Sequence, residues 1–215
     1  MSLELYFHPL ASYCWKVLIA LYENETPFVP RFIDLGDVSV REDLAKLWPF
    51  VKVPVLRALE ESKTIAESSI IIEYLAMCHP GRVELLPSDP ERALETRFRD
   101  RFFDVYVHEP MQKIVGDRLL AEEKRDPYGV SQARQLIETA YGVIERDMAD
   151  RTWAAGDAFS MADCSAAPAL HYANRVVPLG ETFVNTRAYL SRLEQRPSFR
   201  RVLNEARPYF HLFPG

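Results

Sequence analysis

The side chains best suited to chemistry gather at two points: Ser12, Tyr13 and Cys14 in the step ASYCW, and Glu67-Ser68. Leu3, Leu5 and Phe7 alternate with Glu4 and Tyr6, which is strand periodicity. From Ser12 onward Cys14, Trp15, Leu18, Ile19 and Tyr22 recur at helical spacing. A strand that hands a hydroxyl-rich turn to a helix N-terminus makes a site for an anion. The first-turn N–H groups there lack partners, and the helix dipole favours negative charge. Glu67-Ser68 stands at a second helix start, where the Ser68 hydroxyl and N–H suit a carboxylate. The same geometry also serves simple helix capping. Lys52 adds a cation close by, although a solvated lysine reads the same way. His8, His79, His108, His171 and His211 have no metal-ligand spacing, so no metal is expected, and packing or solvent suits each of them. His8, beside the first turn, is within reach of a ligand there.

The elements that must position these residues read as βαβαββα over about the first eighty positions, the pattern of a small α/β domain. Pro27–Ile33 is a second strand, at an edge because of Pro30. Leu44, Leu47 and Trp48 mark a short helical face. Phe50–Leu56 is the next strand, Glu60–Lys63 a hairpin turn, Thr64-Ile65 the start of the return strand, and Glu67–Met77 a helix. Residues 79–90, rich in proline, read as a linker between a first domain at 1–78 and a second at 91–215. No strand pattern survives in the second domain. Glu91–Lys124 reads as one long helix bent near Pro110 or Gly116. Tyr128–Asp150 follows, and Asp163–Val177, apolar all round, is the expected buried central helix, with Pro168 an awkward guest. Two short helices close the chain around Pro197. Ser160 and Asp163 fit a capping box, a folding device whose loss costs about 0.5–2 kcal/mol.

Bulk properties narrow the partners. The chain has 215 residues, a formal net charge of −5 and 27% charged residues. No basic footprint argues for nucleic acid, and no apolar run is long enough to span a bilayer. Glu4 interrupts any signal-peptide core. The cysteines, Cys14, Cys78 and Cys164, are few, scattered and odd in number, as in a reducing compartment. A soluble, cytoplasmic protein is expected, with neither nucleic-acid nor membrane partner.

Four stretches, in order and at fitting distances, resemble the glutathione transferases of the cytosolic, bacterial-like kind, related to the theta, zeta and beta groups. They are HPLASYCWKVLIAL, Val53-Pro54, Ile65-Ala66-Glu67-Ser68, and Gly156–Asp163 (GDAFSMAD). The resemblance implies an α/β thioredoxin-like N-terminal domain joined to an all-α C-terminal helical domain. It implies glutathione as co-substrate, held by Val53 through main-chain bonds beside a cis Val53-Pro54 peptide. Ser68 would take the γ-glutamyl carboxylate, Glu67 the α-ammonium and Lys52 the glycyl carboxylate. It also implies a homodimer.

Transferases of this type need the thiol ionised. Lowering a thiol pKa of about 8.5 by about two units takes roughly 2.7 kcal/mol. One hydrogen bond to the charged sulfur, about 1.5–3 kcal/mol, suffices together with a helix N-terminus. Ala11 stands where theta- and zeta-like members have serine, which also rules out C-x-x-C redox chemistry. Ser12 matches the cysteine of beta-like members and is the first choice for catalysis and thiol binding. Tyr13 is the second, and Cys14 is expected in the core, with a mixed-disulfide role the weaker reading. The function implied is conjugation of glutathione to small hydrophobic electrophiles, as in detoxification. The alternatives are a glutathione-dependent isomerase or dehalogenase on the same site, or a non-catalytic binding protein of this fold. Phe102, Phe103, Tyr106, Met111, Tyr209, Phe210 and Phe213 are aromatic or apolar candidates for an acceptor pocket or for plain core.

Overall fold

Strand β1 (Leu3–Phe7) and helix α1 (Ser12–Glu23) sit at the centre of a computed structural model that describes residues 2–214. The outer ends of the expected domain ranges, Met1 and Gly215, lie outside the described residues. β1 pairs in parallel with β2 (Val29–Phe32) and antiparallel with β3 (Val55–Ala58), which pairs antiparallel with β4 (Lys63–Ala66). The strand order is β2-β1-β3-β4, so the proline-bearing β2 does lie at an edge. Alternation along the strands gives the sheet two faces. Leu3, Leu5 and Leu56 pack with Trp15, Ile19, Ile71 and Leu75 in the main core. Val55 turns the other way to meet Ile33 and Leu44 of α2 (Val38–Leu47). The strand expected over Phe50–Leu56 begins only at Val55. Val51, at φ of +53°, departs from extended backbone, and Pro54 has no N–H to give to the ladder, so the strand starts after them; the Val53-Pro54 peptide is cis, as expected. Helix α3 (Ser68–Cys78) completes the first half.

The long helix expected over Glu91–Lys124 is three pieces. Helix α4 (Pro90–Phe102) runs into a π-helical segment, Phe103–His108, and then into α5 (Glu109–Arg118). Glu122–Lys124 is a separate 3-10 turn. Pro110 has no N–H for the carbonyl four residues back, and its ring crowds that turn. The helix widens just ahead of it. This widening carries Asp104 and His108 inside, where they are 3% and 1% exposed. Helix α6 (Pro127–Asp147) follows, then α7 (Met161–Val176), α8 (Val184–Gln195), α9 (Pro197–Ala206) and a closing 3-10 turn, Arg207–Leu212.

Helix α7 is the buried axis of this half and packs on α1, α4 and the π segment. It runs unbroken through Pro168, where burial on all sides outweighs the lost backbone bond. The capping box is present: the Asp163 carboxylate accepts from the N–H groups of Ser160 at 2.9 Å and Ala154 at 2.8 Å, and from the Tyr189 hydroxyl at 2.6 Å. Two polar clusters bind α1 to the helices. Buried Lys16 reaches Asp100 at 2.7 Å, Asp104 at 2.9 Å and the Ser69 hydroxyl at 2.8 Å. Buried Glu23 accepts both nitrogens of the Arg196 fork at 2.7 Å and the Ser198 hydroxyl. Trp15 packs α1 onto α7 and α9, with its ring 4.7 Å from that of Tyr172 and 6.0 Å from that of Phe199.

Candidate functional site

Helix α3 begins at Ser68 with Glu67 as N-cap, and Glu67 makes no side-chain capping bond. Its φ of +68° is a left-handed conformation for a residue with a side chain, a strain of about 1–3 kcal/mol of the sort stored at binding sites. The first-turn N–H groups have no acceptor within the helix, so they remain available to an anion. They face a cavity of about 450 Å³ lined by Trp48, Lys52, Val53, Pro54, Glu67 and Ser68. Tyr13, Ser69, Ile70, Arg101, Asp104 and Glu109 complete its wall. Four of the expected site residues, Lys52, Val53, Glu67 and Ser68, are therefore together. Cations (Lys52, Arg101) and carboxylates (Glu67, Asp104, Glu109) share the wall, which suits a zwitterionic ligand with several charged ends.

Ser12 does not line that cavity. It is the first residue of α1, 6% exposed, and opens onto a neighbouring space of about 310 Å³. Leu10, Met111, Val115, Leu119, Tyr172 and Phe213 make that space largely apolar. The head of α1 thus separates a polar cavity, touched by Tyr13, from an apolar one, touched by Ala11 and Ser12. The Ser12 hydroxyl is in a short hydrogen bond with Nε2 of His108, and the Tyr13 ring stacks on the same imidazole with centroids 3.9 Å apart. The Gln112 amide nitrogen lies 3.4 Å from that Nε2 as well. Burial pushes the His108 pKa down to about 4; Asp104 pulls it up and Lys16 opposes that, so the imidazole is neutral at pH 7. Burial, with Asp104 and Glu109 nearby, raises the Tyr13 pKa, so its phenol stays protonated.

Cys14 is fully buried and its thiol is pushed up to about 12, which makes it core and leaves no thiolate for a mixed disulfide. His8 lines neither cavity; it accepts from the Leu10 N–H and lies 5.7 Å from the Phe32 ring. Phe102 and Phe103 are core, whereas Met111 and Phe213 line the apolar space. Among the described residues no group of His, Cys, Asp and Glu side chains could hold a metal ion, and no helix is long and apolar enough to cross a membrane. Asp104 and Arg101 escaped the sequence reading, and His108, expected only in packing or solvent, lies buried against Ser12 and Tyr13. A regular helix over these positions gives no reason to bring Asp104 and His108 under the head of α1. Pro110 was the one available sign of a widened turn.

A four-stranded thioredoxin-like half and an all-helical half, with a polar cavity at the helix N-termini of the first, define the architecture of cytosolic glutathione-using transferases. Comparison with known proteins agrees. Residues 5–83 match the family model for the glutathione S-transferase N-terminal domain, and residues 125–205 the model for the C-terminal domain. A probable maleylacetoacetate isomerase of Caenorhabditis elegans is 29% identical over 175 residues, covering 80% of this chain and 78% of that protein. A glutathione S-transferase of Methylobacterium radiotolerans in complex with glutathione sulfonate is 27% identical, with TM-score 0.80 and 94% of each chain covered. One from Methylobacillus flagellatus with glutathione bound has TM-score 0.85 at 21% identity, covering 93% of this chain and 98% of the other. The chain belongs to the glutathione transferase family. It is an enzyme of that kind, with glutathione as co-substrate.

Proposed function

We propose that this enzyme adds the glutathione thiolate to small hydrophobic electrophiles, with the tripeptide in the polar cavity and the electrophile in the apolar one. The observation that carries the reading is the meeting of Lys52, Val53, Glu67 and Ser68 around one cavity at the head of α1. In this reading Ser68 and the open N-terminus of α3 hold the γ-glutamyl carboxylate, and Glu67 the α-ammonium. Val53 pairs with the cysteinyl main chain, as an added strand does, and Lys52 meets the glycyl carboxylate. The sulfur then lies at the N-terminus of α1. The Ser12 hydroxyl turns from His108 to the sulfur, and the Gln112 amide stays on the imidazole. The test pairs glutathione calorimetry with conjugation of 1-chloro-2,4-dinitrobenzene. Heat of binding with turnover supports the reading, and absence of both removes it.

The isomerase relative favours a second reaction at the same site, in which the thiolate adds to a cis double bond and leaves after rotation. Glutathione-dependent isomerisation of maleylacetoacetate, in place of conjugation, decides for it. We further infer a tripeptide-binding unit at 1–78, a linker at 79–90 and a helical unit at 91–215, since among the described residues β1 to β4 all precede Cys78 and helices follow it. A cytoplasmic, detoxifying role is in keeping with unpaired Cys14, Cys78 and Cys164. A homodimer is supported by an exposed apolar stripe of Ile70, Met77, Leu94 and Phe98 on α3 and α4. The Arg97–Glu73 ion pair holds those two faces side by side, and Ile70 carries the stripe to the rim of the polar cavity.

A further inference from the structure

The apolar space holds more than an acceptor wall. Ser12 is in contact with a buried neutral histidine, and its hydroxyl opens onto a cavity of about 310 Å³, the size range of small-ligand pockets. The Ser12 hydroxyl and the Gln112 amide nitrogen both lie within hydrogen-bond reach of His108 Nε2; the amide nitrogen can only donate, which selects the tautomer with Nε2 unprotonated and the Ser12 O–H as donor to it. That is the relation of an activated hydroxyl to its base. The N–H groups of Ser12 and Tyr13 are the first two of α1. Cys14 and Trp15 are the first to bond back, to the Ala11 carbonyl at 2.8 and 3.2 Å. The first two therefore have no acceptor within the helix, and the Ser12 N–H belongs to a residue that lines the apolar space, so it is free for a carbonyl oxygen gaining charge there.

We propose that, without glutathione, Ser12 and His108 form a nucleophile–base pair that hydrolyses short-chain carboxylic esters of apolar alcohols or phenols bound in this space. The Ser12 Oγ adds to the ester carbonyl while its proton passes to His108 Nε2, and the Ser12 N–H at the open start of α1 binds the oxyanion. Collapse breaks the ester C–O bond, and the departing oxygen takes the proton from His108. Water then adds to the acyl-serine and gives a proton to His108. The carboxylic acid leaves, and the proton returns to Ser12. Ester and water become acid and alcohol, with no change of oxidation state. The neutral imidazole is the form that accepts a proton, and the Asp104 carboxylate, one turn before it, stabilises the positive charge that forms. Because one hydroxyl serves both reactions, ester hydrolysis and thiol activation exclude each other. The inference does not rest on the conjugation reading, since it uses neither the polar cavity nor the tripeptide.

The test uses the whole protein, dialysed free of glutathione, with p-nitrophenyl acetate and p-nitrophenyl butyrate. Saturable release of p-nitrophenolate above a heat-unfolded control is expected, falling about a hundredfold or more in both Ser12→Ala and His108→Gln. A fluorophosphonate probe on the unaltered protein should add one label, mapped by peptide mass spectrometry to Ser12. This arm needs no variant to fold. No saturable hydrolysis, an unchanged rate in Ser12→Ala, or a label on another residue overturns the proposal. Each of these leaves glutathione calorimetry untouched, so failure here and failure of the conjugation reading are read separately.

Discussion

At Ser12 a single hydroxyl proton has two candidate acceptors, the His108 imidazole and the glutathione sulfur, and function depends on which one holds it. Moving it to the sulfur contributes the worth of a hydrogen bond to a charged group, about 1.5–3 kcal/mol. Ser12→Ala should therefore lower the conjugation rate about ten- to a hundredfold, with glutathione affinity within a few fold by calorimetry. An unchanged rate would transfer the role to the Tyr13 phenol, which burial keeps protonated and which faces the polar cavity. In the proposed reading Ser68 sets affinity instead. It offers a hydroxyl and a free N–H at the start of α3, and only the hydroxyl is lost on mutation. Ser68→Ala should raise the glutathione dissociation constant about tenfold or more, and an unchanged constant would sink its assignment to the γ-glutamyl carboxylate.

Among the elements, the π-helical segment does the most to shape the site. It turns Asp104 and His108 inward together, and it does so because Pro110 cannot complete an ordinary turn. The cost appears in the pH dependence of folding. The His108 pKa is about 4 when folded, against about 6.5 in the unfolded chain. Between those values the unfolded state binds the extra proton, so stability falls as pH drops through this window and flattens below it. Asp100 and Asp163, whose burial raises their pKa values, act in the opposite direction. The clean readout is therefore a difference. Urea unfolding of wild type should lose up to about 1.4 kcal/mol more per pH unit than His108→Gln between pH 6.5 and 4. Parallel curves would show that the imidazole is not buried neutral.

Across the whole molecule, Lys16 ties the sheet half to the helical half. It is 1% exposed and answers two buried carboxylates, one of which also lines the polar cavity. Lys16→Met leaves buried Asp100 without its cation and Asp104 with only the exposed Arg101 at 3.6 Å, a loss of about 3–5 kcal/mol measurable by urea unfolding. A loss below about 1 kcal/mol would mean the pair is satisfied some other way. The exposed stripe on α3 and α4 belongs to the same scale. Phe98→Asp puts a charge in it and should convert a dimer to a monomer in sedimentation velocity. If wild type already sediments as a monomer, the stripe has another use.

Much of this was legible along the chain, because it rests on local rules. Strand alternation in Leu3–Phe7, the helical period after Ser12, Pro30 at an edge and the box at Ser160 and Asp163 depend on neighbours a few residues away, and the folded chain keeps them. Lys52, Val53, Glu67 and Ser68 were legible for the same reason, since short motifs at turn ends carry their own backbone geometry. What only the tertiary structure decided lies between distant segments. His108 meets Ser12 across 96 residues, and Asp100 and Asp104 meet Lys16 across more than 80. Helical periodicity describes a face, but not what a second helix will press against it. The partition of Tyr13 and Ser12 to different cavities likewise depends on His108 of the π segment and Tyr172 of α7 meeting the head of α1, contacts with no trace in local sequence.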